Sequence, residues 1–131
     1  MVEPLYLLMP KTHKIIWARE PQGHDYPAAA SYLSLIYPPK DTRKLVKKLR
    51  KAPLAPYHAK DIFRATRLPL LGAANHHVKK VRAKILHHQA ISPILLVRDE
   101  PNGKVIIADG YHRMCAVYTF DEDAILPCKI V

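Results

Sequence analysis

The sequence predicts an α/β (α+β) fold, in which helices pack on a small sheet and a helical extension precedes this domain. After residue 74, helical and strand patterns alternate in an order typical of such folds. Before residue 57 the chain is irregular, because eight of its twelve prolines fall there. We therefore divide the chain into an N-terminal extension at 1–56 and a domain at 57–131.

The extension carries signals for two short helices. The first helix runs from residue 27 to 37 after a start signal at Asp25, and the two prolines that follow it end it. The second is a basic helix at 41–52. Residues 14–19 indicate a short strand, and further prolines make a linker-like break before the domain.

The domain shows clearer periodicity. Asn75 can cap a helix whose apolar residues recur at helical spacing, and the apolar run that begins at Ile94 indicates a buried strand. A turn at Pro101-Asn102-Gly103 joins that strand to the next as a hairpin. The predicted elements are a helix at 75–89, strands at 94–98 and 104–108, a helix at 110–120 and a strand at 124–131.

The net charge of +10 is concentrated in one part of the chain. Residues 25–98 hold fifteen basic and three acidic groups, which gives +12, whereas residues 99–131 carry −3. Such a field attracts polyanions, so we expect DNA as a partner. The alternative is that these lysines only solvate helix faces. The candidate DNA contacts are Lys44, Lys47, Lys48, Lys80 and Lys84.

Several features indicate a cytoplasmic protein that has no membrane partner. The apolar run at 5–9 is too short for a signal peptide, and the uncharged stretch at 26–39 contains three prolines. Cys115 and Cys128 lack the spacing of a zinc site, so we expect buried, unpaired thiols. On the helix at 75–89, His77 and His88 would lie about 16 Å apart, so we predict no metal site there.

The junction Asp109-Gly110-Tyr111-His112-Arg113 is the strongest candidate for chemistry. A strand enters a helix there through a glycine, and the first turn of a helix leaves N–H groups that favour an anion. Arg113 and protonated His112 can add charge-assisted hydrogen bonds to phosphate oxygens. Asp109 would instead orient a metal ion, a hydroxyl or the arginine. The alternative is that Asp109 is a helix cap and Arg113 a surface cation.

The run from Gln89 to Val97, the hairpin, and the sequence from Ala108 to Arg113 together resemble the ParB/sulfiredoxin superfamily over about 75 residues. The resemblance implies a small mixed sheet and a bound nucleoside triphosphate, CTP or ATP, with or without Mg²⁺. It places Ser92 and Pro93 near the base or ribose. The phosphate contacts it implies are Gly110 and Arg113, and Tyr111 and His112 between them are further candidate nucleotide-binding residues.

The sequence departs from the family pattern at several positions, and these differences exclude some of the activities that the resemblance implies. Tyr111 stands where sulfiredoxins have their nucleophilic cysteine, and a phenol cannot perform that chemistry, so we exclude sulfinic acid reductase activity. Free-serine kinases of the ParB-like fold are similar to this chain in an Asp-Gly-x-x-Arg sequence. That similarity makes Asp109 a candidate base or magnesium ligand, with His112 as a second candidate catalytic group.

Three functions therefore stay open. The first is a nucleotide-binding, DNA-associated ParB-like module, with residues 40–98 as its basic surface. The second is a nucleotide-dependent phosphotransferase that uses Asp109. The third is a non-catalytic interaction module. The sequence leaves the oligomeric state open and is compatible with a homodimer.

Overall fold

The computed structural model describes residues 14–131, in which five α-helices accompany a four-stranded mixed sheet. The α/β class predicted from the sequence is confirmed. The helices are α1 (Asp25–Leu33), α2 (Pro39–Lys51), α3 (Ala59–Thr66), α4 (His76–Leu86) and α5 (Tyr111–Phe120). The strands are β1 (Ala55–His58), β2 (Ile94–Asp99), β3 (Lys104–Asp109) and β4 (Ile125–Ile130). No helix among these residues is long and apolar enough to cross a bilayer.

The strand order in the sheet is β1-β4-β2-β3. The predicted hairpin is present, because β2 and β3 pair antiparallel with Leu96 opposite Ile107. The last strand, β4, lies between β1 and β2 and runs parallel to β2 but antiparallel to β1. Gly103 adopts the left-handed conformation that closes the hairpin turn, with φ of 62°.

Helices cover both faces of the sheet. Ile94 and Leu96 of β2 pack in the cluster that includes residues of α3, α4 and α5, whereas Leu95 and Val97 pack with residues of α1 and α2. Successive residues of a strand point to opposite faces, so a strand covered on both sides is apolar throughout. This three-layer arrangement explains the uninterrupted apolar run of β2.

The segment predicted as an extension supplies one of these helical layers. Leu33 of α1 and Leu49 of α2 are fully buried against the sheet. The predicted boundary between residues 56 and 57 falls inside β1, which pairs with β4. Residues 1–13 of that segment lie outside the described residues.

The two prolines between α1 and α2 do not end α1, contrary to the prediction from the sequence. Helix α1 begins at Asp25 and ends at Leu33, before the prolines, and a turn follows it. Pro39 occupies the first turn of α2 instead of ending α1, because proline needs no N–H partner at that position. The strand predicted at 14–19 is reduced to a single bridge between Trp17 and Ile91.

Two elements were not predicted from the sequence. Strand β1 contains Pro56, which suggested a linker, but β1 is an edge strand, where proline is tolerated. Helix α3 follows β1 directly, and its buried residues Ala59 and Ile62 belong to the core cluster.

A buried lysine fastens α2 to the sheet. Lys129 of β4 is almost fully buried, and its Nζ donates a hydrogen bond to the carbonyl of Arg50 at 2.9 Å. That carbonyl belongs to the last turn of α2, where a cation is favoured by the helix dipole. The guanidinium of Arg50 lies over the ring of Tyr26, 4.4 Å from its centre, and so links α2 to α1.

We predict that both thiols react slowly in the native protein. Cys115 and Cys128 are buried and unpaired, and burial raises the pKa of Cys128 to about 12 and also raises the pKa of Cys115. Thiolates are the reactive species, so alkylation by iodoacetamide at pH 8 should be at least about a hundredfold slower than in the urea-unfolded chain. Mass spectrometry of a labelling time course measures this, and fast labelling of Cys115 without urea would contradict it.

Candidate functional site

The predicted strand-to-helix junction is present and requires its glycine. β3 ends at Asp109 and α5 begins at Tyr111, while Gly110 between them has φ of 111°. A Cβ at this position would lie 2.6 Å from Ile94 Cδ1 and 3.0 Å from Arg113 Nη2. Both the backbone conformation and the close contacts therefore exclude a side chain at Gly110.

The side chain of Arg113 folds back over this glycine and is only 18% exposed. Its Nη2 donates hydrogen bonds to Asp109 Oδ2 at 3.0 Å and to the carbonyl of Pro93 at 3.2 Å. The same nitrogen lies 4.0 Å from Asp25 Oδ2. The guanidinium therefore connects β3, the loop before β2, and α1. Its Nε is buried and has no hydrogen-bond partner among residues 14–131.

Asp25 is the site residue that the sequence analysis missed, because it was interpreted only as a helix start. Its side chain is 2% exposed, and its Oδ2 accepts a hydrogen bond from the backbone N–H of Gln22 at 3.0 Å. Two carboxylates thus flank one guanidinium. Burial raises the pKa of Asp109, and Asp25 adds to this, whereas Arg113 opposes it. Asp25 is an acid in a basic, proline-rich segment, and this was the sequence signal that could have identified it as a site residue.

Beside the junction lies a cleft of about 300 Å³ between α4 and α5, which we call the basic cleft. Its α5 side is formed by Gly110 and the first turn of the helix, which has no side-chain cap. Its α4 side is formed by a stripe at helical spacing. The α4 residues are His77, Lys80, Val81 and Lys84.

The five predicted DNA contacts do not form one surface. Lys80 and Lys84 face the basic cleft together with Gly110 and Arg113. Lys44, Lys47 and Lys48 are exposed on α2, which packs on the opposite face of the sheet. The sequence grouped these lysines because charge density along the chain does not reveal the layer in which a helix lies.

His112 lies in the basic cleft with its ring 4.7 Å from the ring of His77, centre to centre. Burial lowers the pKa of His112, and His77 lowers it further. Both effects favour the neutral imidazole of His112 at pH 7. A bound anion would favour its protonation.

Tyr111 makes a structural contact as well as lining the cleft. Its hydroxyl donates a hydrogen bond to the carbonyl of Pro69, and burial raises the pKa of this phenol, with Cys115 adding to the effect. The contact ties the loop after α3 to the start of α5. Ser92 and Pro93 are buried behind Arg113, and neither lines the basic cleft.

A second cleft of about 300 Å³ adjoins the same glycine on the side of α1. Asp109, Gly110 and His112 line both clefts. The remaining walls of this second cleft are mostly apolar and include Tyr32, Leu68 and Ile107. Asp109 therefore lies between a basic and an apolar compartment.

Potential metal ligands do not gather in groups of three or more among residues 14–131. Comparison with known protein families, curated proteins and solved structures finds no match for this chain. The resemblance to the ParB/sulfiredoxin superfamily therefore stays a prediction.

We predict that Arg113→Ala lowers the free energy of unfolding by about 3–5 kcal/mol, because it removes the guanidinium that pairs with the largely buried carboxylates of Asp25 and Asp109. Chemical unfolding in urea at pH 7 measures the loss. Arg64→Ala is the matched control, because Arg64 is 80% exposed and pairs with the exposed Asp61 at 3.8 Å. The control should change stability by less than about 0.5 kcal/mol. Equal effects of the two variants would contradict a structural role for Arg113.

Proposed function

We propose that the basic cleft binds the phosphate groups of a nucleotide. The observation that carries the proposal is that Lys80 and Lys84 face the uncapped first turn of α5 across a single cleft. Backbone N–H groups, the helix dipole and two ammonium groups all favour an anion there.

The division of roles differs from the one that the resemblance implies. Nη2 of Arg113 donates to Asp109 and to the carbonyl of Pro93, so a carboxylate already compensates the charge of this guanidinium before any phosphate approaches it. The lysines of α4 then supply most of the positive charge. At about 300 Å³ the cleft is at the small end for ligand sites, so we expect it to enclose the phosphates of CTP or ATP and leave the base outside. Asp109 is the carboxylate in the cleft that could hold Mg²⁺.

Association with DNA is the second part of the proposal, and it rests on α2. This helix of 13 residues contains seven basic residues and one acid, Asp41. Lys44, Lys47 and Lys48 are exposed, and no acid of residues 14–131 pairs with them. A helix face of free cations attracts the phosphate backbone irrespective of sequence.

One observation favours a phosphotransferase as the alternative function. Asp109 lies between the basic cleft and the apolar cleft, and burial raises the pKa of its carboxyl toward the range of a general base. A phosphate donor in the first cleft and a hydroxyl acceptor in the second would meet at this residue. Asp109→Asn separates the functions, because nucleotide binding should survive while phosphoryl transfer should stop.

We predict that the double variant Lys80→Ala/Lys84→Ala binds nucleotide about ten- to a hundredfold more weakly than the natural protein, because charged hydrogen bonds are lost. Isothermal titration calorimetry with ATP, CTP, GTP and UTP, with and without Mg²⁺, measures this. Lys79→Ala is the control, because Lys79 is exposed on α4 but does not line the cleft. Absence of binding by any nucleotide would favour a non-catalytic interaction module, and equal losses in both variants would place the site elsewhere.

For DNA we predict sequence-independent binding whose affinity falls with salt, with a log–log slope of about 0.9 for each phosphate contact. Lys47→Glu should weaken binding to all duplexes alike and reduce this slope, whereas Lys79→Glu, the same charge change on α4, should affect binding much less. Fluorescence anisotropy with labelled duplexes at several salt concentrations measures both effects. Identical losses in the two variants would indicate attraction by net charge without a role for α2.

A further inference from the structure

The outer edge of β3 has backbone N–H and C=O groups that find no hydrogen-bond partner in the described part of the chain. The N–H of Arg98 donates to the carbonyl of Val131 on the β4 side. The N–H and C=O groups of its neighbour Val97 therefore point toward β3, where Val97 lies opposite Ile106. Successive residues of a strand direct their N–H and C=O groups to opposite sides, so Val105 and Ile107 direct theirs away from the sheet. Within residues 14–131 no hydrogen bond reaches these outward groups.

A continuous groove follows this edge. A cleft of about 120 Å³ shares Tyr32, Leu68 and Ile107 with the larger apolar cleft described above, so the two join along β3. Val105, Ile106 and Ile107 all line the smaller cleft although their side chains alternate between faces, so the strand edge itself forms the floor. We call this feature the edge groove. Its walls are α1 on one side and the segment after α3 on the other.

The two edges of the sheet differ in their protection. Strand β1 has four residues, one of which is the exposed Pro56, and short proline-containing edges resist pairing with another chain. Strand β3 has six residues and no proline. Exposed apolar side chains also accompany the groove at the end of α1, where Leu35 is 83% exposed and Ile36 is 48% exposed. Such an edge beside apolar walls suits β-strand addition.

Charge indicates which strand would fit. Of the acids that line the groove, Asp109 pairs with the cation of Arg113 at 3.0 Å, whereas Asp99 accepts a hydrogen bond from the neutral amide of Asn102 at 2.9 Å and keeps its charge. Lys104, at one end, forms no ion pair within residues 14–131, and the other end meets the basic cleft at Gly110. The net charge of +10 also disfavours a second copy of this chain.

We propose that the edge groove binds an extended peptide segment of a partner protein, which adds to β3 as a fifth strand. The outward groups of Val105 and Ile107 supply the backbone hydrogen bonds. Apolar side chains at alternate positions of the peptide contact Tyr32, Ile36 and Leu68. Acidic residues at its two ends lie near Lys104 and near the basic cleft. The proposal does not depend on nucleotide binding.

The test uses a synthetic peptide, acetyl-Glu-Val-Thr-Val-Thr-Val-Glu-amide, titrated into the full-length protein. We expect saturable binding with a Kd of about 1 mM or lower, with the amide resonances of Val105 and Ile107 among those that shift most in ¹H–¹⁵N spectra. A peptide with lysine in place of both glutamates should bind more weakly. Absence of binding by the acidic peptide, or shifts confined to other strands, would overturn the proposal.

Matched variants distinguish specific binding in the edge groove from nonspecific hydrophobic binding. Ile36→Glu should weaken peptide binding by about tenfold or more, whereas Leu86→Glu, at a residue that is also 48% exposed but lies on α4, should change it less than about twofold. Val105→Pro removes an outward N–H while leaving the bonds to β2, and it should weaken binding with the fold intact by circular dichroism. A dimer seen by sedimentation and abolished by Val105→Pro would identify a second copy as the occupant and overturn the proposal.

Discussion

The contact between one buried guanidinium and two carboxylates is the constraint on which the rest of the site depends. Arg113 draws together the end of β3, the loop before β2 and the start of α1, three segments far apart in the chain. A buried charge is tolerated only when it is paired and hydrogen-bonded, so the three segments hold one another in place. The guanidinium and the side chain of Ile94 both lie close to Gly110, whose φ of 111° also disfavours any other residue in this turn.

This internal pairing determines which groups are free to bind. An arginine neutralised by neighbouring acids cannot dominate the recognition of an anion, so in the proposed function the lysines on α4 supply most of the electrostatic attraction. Gly110 then becomes the meeting point of a basic and an apolar compartment, because its two sides open toward different helices. A ligand on one side could affect the other through the few atoms that they share.

Local patterns predicted the hairpin and the glycine junction, because strand periodicity, turn chemistry and helix starts are encoded by neighbouring residues. Strand β1 escaped prediction because Pro56 is compatible with a strand only at a sheet edge, and edge position depends on the whole fold. Two further features depend on contacts between distant parts of the chain and were not predicted. They are the pairing of Asp25 with Arg113 and the placement of Lys47 and Lys80 in opposite layers. The family assignment is a prediction from motif resemblance, and the DNA assignment is a prediction from charge.

The position of β4 has a consequence for how the protein is made. This strand comes last along the chain yet lies inside the sheet, where Ala55 of β1 meets Cys128. Until residues 125–130 leave the ribosome, β1 has no strand to pair with and one side of β2 stays open. The strand edges of the nascent chain therefore stay unpaired until then, and unpaired edges are prone to association. We expect chaperones to bind the chain during synthesis.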